Sequence, residues 1–134
     1  MFKNIYLFII IFIIIFTASV FSKQNGARIL FNADKTGYVD IYSIDPDNTS
    51  DIQMLTKSKD YDFWPRWSEK NKKILYCSLP FSSDGYGKSK IWTMDHDGKN
   101  NIKLTDGNFD DFFPNWSLDG KYIVFQSYRD SNGE

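Results

Sequence analysis

The sequence predicts an all-β fold of repeated four-stranded antiparallel units, set behind a hydrophobic N-terminal helix. Three observations carry this. Aspartate outnumbers glutamate 15 to 2, and Asp favours turns and caps where Glu favours helix interiors. No stretch beyond residue 22 places apolar residues at helical spacing. A fifteen-residue phrase also occurs twice, as WPRWSEKNKKILYCS over 64–78 and FPNWSLDGKYIVFQS over 113–127.

Residues 1–22 stand apart from the rest. A lone Lys3 precedes the apolar run YLFIIIFIIIFTASVF, and no further charge appears until Lys23. A short basic start, an apolar centre and small residues at the end make the layout of a secretory signal peptide. Val20 and Ser22 suit positions −3 and −1 of a cleavage before Lys23. The rival reading is an uncleaved anchor helix, since a bilayer span takes about 20 apolar residues. Both readings export residues 23–134 and confine membrane contact to 1–22.

The repeat accounts for the remainder. Pro65, Trp67 and Ser68 return 49 residues later as Pro114, Trp116 and Ser117. Ile74, Tyr76 and Ser78 return at the same offset as Ile123, Phe125 and Ser127. Leu55-Thr56 returns as Leu104-Thr105, and Ile41-Tyr42 returns as Ile91-Trp92 after a one-residue insertion. Ile29-Leu30-Phe31 matches Ile74-Leu75-Tyr76 at a spacing of 45, most of the difference lying in the longer loop Leu79–Lys90. Gly120 aligns with Asn71 and Gly98 with Asn48. Gly and Asn take positive φ most easily, so both positions are expected to be left-handed turn residues.

One unit therefore holds four short strands, through PxWS, ILYCS, IWTMD and IKLT, each bounded by Asp, Asn, Gly or Lys. Four antiparallel strands per 40–50 residues describe a β-propeller blade. Residues 28–56 supply three strands of one blade, 65–105 a complete blade and 114–127 the start of another. Closure takes about 4 to 8 blades, so 23–134 reads as an incomplete propeller. Completion by several copies or a second chain would leave residues 122–127 as a surplus strand, which favours a fragment of a longer propeller.

IWTMDHDGKNNIKLT followed by PNWSLDGKYIVFQS resembles the WD-like propeller repeat of the TolB type, also found in the propellers of dipeptidyl-peptidase and tricorn-like proteases. The resemblance covers residues 28–134. It implies a periplasmic, non-catalytic module whose work is protein–protein contact in the cell envelope. TolB also carries an α/β domain ahead of its propeller; this chain passes from the apolar segment to its first strand within about half a dozen residues.

Charge and chemistry narrow the function further. Without Lys3, 15 basic residues face 17 acidic ones, a formal charge of −2. No Lys/Arg cluster marks a phosphate-tracking groove, so nucleic acid is not an expected partner. His96 is the single histidine and lies in the turn DHDG; no GxSxG elbow accompanies it. Asp95-His96-Asp97-Gly98 lacks the later ligands of an EF-hand loop, and one His with one Cys makes no zinc site. Cys77 sits in an apolar strand pattern and is expected to be a buried, inert thiol. No catalytic residue, cofactor or metal is expected.

The candidate partner-binding residues are Asp62, Phe63 and Trp64 with their repeat-mates Asp111, Phe112 and Phe113. In a propeller these loops gather at one mouth of the central channel, where carboxylates beside aromatics suit a peptide or a cation. The competing expectation is structural: Asp accepts loop N–H bonds and the aromatics wedge between blades. Partners are expected to be a cell-envelope protein or the remaining blades. The alternative function is the N-terminal propeller piece of a dipeptidyl-peptidase-like serine peptidase, or of a polysaccharide-degrading propeller enzyme, lacking its catalytic part.

Overall fold

The computed structural model describes residues 19–23, 26–35 and 37–129. Every regular element in them is a β-strand, and no helix there is long and apolar enough to cross a membrane. Sheet A takes β1 (Ser19–Lys23), β2 (Gly26–Asp34), β3 (Val39–Ile44) and β4 (Ile52–Met54), in that order. Sheet B takes β5 (Tyr61–Ser68), β6 (Lys73–Leu79), β9 (Lys90–Asp95) and β10 (Ile102–Lys103), again in chain order across the sheet. Sheet C pairs β11 (Asp111–Trp116) with β12 (Ile123–Ser127). Between β6 and β9, β7 (Phe81–Ser82) and β8 (Gly85–Tyr86) form a small separate hairpin. All pairings are antiparallel.

Residues 1–18 of the expected export helix lie outside the described residues. The end of that segment does not. Ser19–Lys23 is strand β1, with Ser19 opposite Leu30 and Lys23 opposite Gly26. Val20 and Phe21 are residue types that suit a strand as well as an export segment. The unit read from residues 28–56 as three strands therefore has four.

The hairpins repeat their register. Asp62 pairs with Ser78 and Trp67 with Ile74; 49 residues on, Asp111 pairs with Ser127 and Trp116 with Ile123. Both hairpins carry a bulge in the same place, between Phe63 and Arg66 and between Phe112 and Asn115. The outer strands follow suit, with Tyr42 opposite Met54 and Trp92 opposite Lys103.

Successive side chains of a strand point to opposite faces, and β6 uses both. Ile74 and Tyr76 join Leu30, Ile41, Leu55 and Met94 in a core between sheets A and B, with Trp67 packed against it. Leu75 and Cys77 join Ile91 in a second core between sheets B and C, with Trp116, Ile123 and Phe125 packed against it. A strand buried on both faces needs an unbroken apolar run rather than alternation, hence KILYCSL. Trp67 and Trp116 thus hold matching places at successive joints. Trp67 Nε1 donates to Glu69 Oε2 at 3.0 Å, and Trp116 Nε1 to the Arg66 carbonyl at 3.2 Å.

The turn expectations divide. Gly98 (φ 82°) and Gly120 (φ 71°) are left-handed as expected. A Cβ on Gly98 would lie 2.3 Å from the Leu55 carbonyl oxygen, so that turn seats directly on sheet A's final segment. Asn71 and Asn48 are not left-handed; beside Asn71 the positive φ falls one place on, at Lys72 (54°). Asn71 serves the fold with its side chain instead, donating to the Gly120 carbonyl at 2.7 Å and tying one repeat turn to the next. Asn48 sits in an Asp45-capped turn, its N–H on Asp45 Oδ1 and its carbonyl accepting from Asp51.

Candidate functional site

Strands β5 and β11 share the word Asp-aromatic-aromatic-Pro, which opens β11 and follows Tyr61 in β5. At the third position the backbone turns left-handed, φ 53° at Trp64 and 52° at Phe113. For a bulky residue this is a true outlier, costing about 1–3 kcal/mol. The bulge and the buried Pro65 and Pro114 that follow impose it. Trp64 and Phe112 pack against the core between sheets B and C, as the structural expectation had it, while Phe113 is left exposed. Trp64 and Phe113 meet with centroids 4.1 Å apart, and Phe113 is 53% exposed.

Aromatic contacts continue on both sides of that pair. Trp64 meets Phe63 (5.3 Å) and Phe112 (6.1 Å, edge-on), and Phe112 meets Tyr128. Phe63 stacks on Tyr61, which touches Tyr38, Phe81 and Tyr86 within 5.7–5.8 Å. An aromatic band therefore spans all three sheets, with Tyr86, Phe113 and Tyr128 more than half exposed. Phe63, Trp64, Phe112 and Phe113 were visible in the sequence. Tyr38, Tyr61, Phe81, Tyr86 and Tyr128 were not, although the longer Leu79–Lys90 loop marked the insertion that becomes the β7–β8 hairpin and carries Phe81 and Tyr86.

Asp62 and Asp111 do not join that band's surface. Both are buried at the joints between sheets. Burial pushes Asp62 up to about 6, against hydrogen bonds from Ser78 and Thr56 that lower it; the carboxylates of Asp60 and Asp40 push it further. Asp111 is buried as well, yet hydrogen bonds from Ser127 and Thr105 and the Arg129 guanidinium bring it below the ordinary carboxylate range. Arg129 lies 3.0 Å and Lys90 Nζ 3.7 Å from Asp111 Oδ2.

The two joints otherwise share their parts. Thr56 Oγ1 accepts the Ile41 N–H at 2.9 Å, and Thr105 Oγ1 accepts the Ile91 N–H at 3.1 Å. They differ at two repeat positions: Asp40 precedes Ile41 where Lys90 precedes Ile91, and Pro80 stands where Arg129 stands. Asp40 is itself buried and takes the Thr56 hydroxyl at 3.4 Å. Beside Asp62 opens a cleft of about 290 Å³ walled by Thr56, Ser78, Tyr76, Trp92 and Asn101, with Lys57 among its lining residues.

The remaining motifs act in turns and packing. Asp95 takes Lys73 at 2.6 Å, while Asp97 takes Lys99 at 2.7 Å. Among the described residues no three of His, Cys, Asp and Glu gather as a metal site. Cys77 is fully buried, its Sγ donating to the Asp111 carbonyl at 3.4 Å, and burial pushes the thiol up to about 12.

No protein-family model matches the chain. An uncharacterized protein of Agrobacterium fabrum is 33% identical over 106 residues, covering 79% of this chain and 34% of that protein. A solved structure from Agrobacterium tumefaciens described as a candidate TolB superposes with a TM-score of 0.56 at 24% identity, covering 75% of this chain and 38% of that one. The fold is thus TolB-like, and the chain spans about a third of the length of the curated relative it matches.

Proposed function

We propose that the chain is an exported, non-catalytic, TolB-like β-propeller module for protein–protein interaction, part of a larger propeller. In this reading sheets A and B are blades, sheet C begins a third, and the aromatic band at their shared end is the binding face. One observation carries the reading. Trp64 and Phe113 are both held in a costly left-handed backbone that brings their rings together at this end, Phe113 exposed and Trp64 half-buried against the sheet B–C core, and strain of this kind clusters at ligand clamps. Aromatic side chains are the commonest anchors of protein interfaces. The partner is a protein of the cell envelope, reached through the apolar N-terminal segment ahead of β1 acting as export signal or anchor.

Two experiments test this. Alkaline phosphatase fused after Glu134 becomes active in a bacterial host if the chain is exported, and stays inactive if it is not. A photo-crosslinking amino acid at Phe113 or Tyr86 gives discrete adducts, while the same group at exposed Leu118, away from the band, gives none. Equal labelling at all three positions, or none at any, contradicts the binding face.

A further inference from the structure

The cleft beside Asp62 shares no lining residue with the aromatic band, and the repeat itself indicates what would suit it. At the joint between sheets B and C, the buried carboxylate of Asp111 is met by two cations, Lys90 and Arg129. At the joint between sheets A and B, the matching carboxylate is Asp62, 3% exposed. Its repeat neighbours are Asp40 in place of Lys90 and Pro80 in place of Arg129. Asp62 Oδ1 is buried and accepts no hydrogen bond among the described residues. This is equally true of Asp111 Oδ1, so the two joints differ in the cations rather than in this oxygen. Thr56 has one hydroxyl proton, and both Asp40 and Asp62 draw on it. Buried carboxylates usually meet paired charge or full hydrogen bonding.

The cleft that Asp62 walls has the remaining features of an organic-cation site. Tyr76 and Trp92, their rings stacked with centroids 6.5 Å apart, line it together with Leu55 and Thr56 of sheet A's final segment. Aromatic faces beside a carboxylate attract ammonium and guanidinium groups. Tyr76 Oη is anchored to Asn101 Oδ1 at 2.7 Å, which fixes that ring in place. Lys57 also lines the cleft, but it is exposed and forms no ion pair with Asp62 among the described residues.

We propose that this inter-sheet cleft binds a primary ammonium group, which takes beside Asp62 the place that Lys90 takes beside Asp111. The ammonium comes either from a free amine or from a lysine of a partner chain. The groups facing Asp62 are Asp40 from β3, Asp60 from the preceding loop, Tyr76 from β6 and Lys57 of the cleft lining, while Cys77, on the other face of β6, feels its charge. Burial raises both Tyr76 and Cys77 well above neutrality, so a loss of binding below pH 6 belongs to the carboxylates.

The test is NMR titration of the full chain with n-butylammonium and, separately, with a blocked Gly-Lys-Gly peptide. The expected result is saturable shifts confined to Thr56, Tyr76, Ser78 and the Trp92 indole. Asp62→Asn weakens them about tenfold or more, the loss expected when one member of a desolvated charge pair is removed. Moving the unaltered chain from pH 8 to pH 5 weakens them in the same way, and this arm decides if Asp62→Asn does not fold. Asp40→Lys supplies the cation internally, so it blocks binding and raises the thermal midpoint. Tighter binding of the butylammonium assigns a free amine, and tighter binding of the peptide assigns a partner lysine. The proposal is overturned by no saturable shift with either probe. It is equally overturned by shifts indifferent to Asp62→Asn and to pH, or by an Asp40→Lys chain that still binds.

Discussion

Trp64 and Phe113, 49 residues apart, meet with ring centroids 4.1 Å apart, each left-handed and each followed by a buried proline. Two copies of one motif touch at the point where each is most strained. Joints between repeats are where such a chain gains its stability, and this joint spends some of it on presenting rings.

The strain at Phe113 is open to direct measurement. Phe113→Gly removes a half-exposed ring but relieves the left-handed backbone, so its stability falls within about 1 kcal/mol of the parent. Phe113→Val keeps a side chain whose β-branching resists that backbone and costs about 1–3 kcal/mol. Denaturant midpoints of the two variants give the comparison, and equal losses would remove the strain argument.

Gly98 tests how the sheets are seated. Gly98→Ala places a methyl 2.3 Å from the Leu55 carbonyl oxygen on a φ of 82°. Overpacking and left-handed strain together cost about 2–5 kcal/mol. Gly37→Ala, with φ 90° and open space around it, carries only the strain, about 1–2 kcal/mol. Chemical denaturation distinguishes them, the larger loss falling at Gly98.

Cys77 is buried with its thiol pushed up to about 12. The thiolate is the reactive form, so a disulfide reagent at pH 8 leaves the folded chain unmodified. It reacts within minutes once denaturant is added. Fast reaction in the folded state would mean that sheets B and C part readily.

Much of this architecture was legible in the sequence, because strand register is set by which side chains must face a core. The offset of 49 between Asp62-Trp67 and Asp111-Trp116 is the offset of their pairing with Ser78-Ile74 and Ser127-Ile123. Other features depend on contacts that letters do not carry. Val20 and Phe21 suit export and strand equally, and only pairing with β2 separates the two. The left-handed turn residues of β5 and β11 are Trp and Phe rather than the Gly or Asn that propensity favours, since the bulge before proline overrides it. The Asp62 joint was hidden too: Asp40 lies 22 residues upstream and becomes its neighbour only when sheets A and B pack.

That joint makes stability depend on pH in a defined direction. Asp62 is raised, so the folded chain holds its proton more tightly than the unfolded chain. Its stabilising contribution is complete below the unfolded value of about 4. It is lost as pH rises through about 6, by at most about 3 kcal/mol. Asp111 is lowered, so its contribution is present above the unfolded value and lost as pH falls. Between pH 5 and 7 the parent loses stability relative to Asp62→Asn, which lacks the ionising group. Urea midpoints across that range measure it, and parallel curves would contradict it.

The central claim is that one repeat position carries opposite electrostatics at successive joints. Carboxyl ¹³C NMR of the aspartate-labelled chain tests it most directly, with Asp62→Asn and Asp111→Asn assigning the two signals. The account predicts Asp62 titrating near 6 and Asp111 below the ordinary aspartate range. Two signals titrating together near 4, or Asp111 above Asp62, would contradict it.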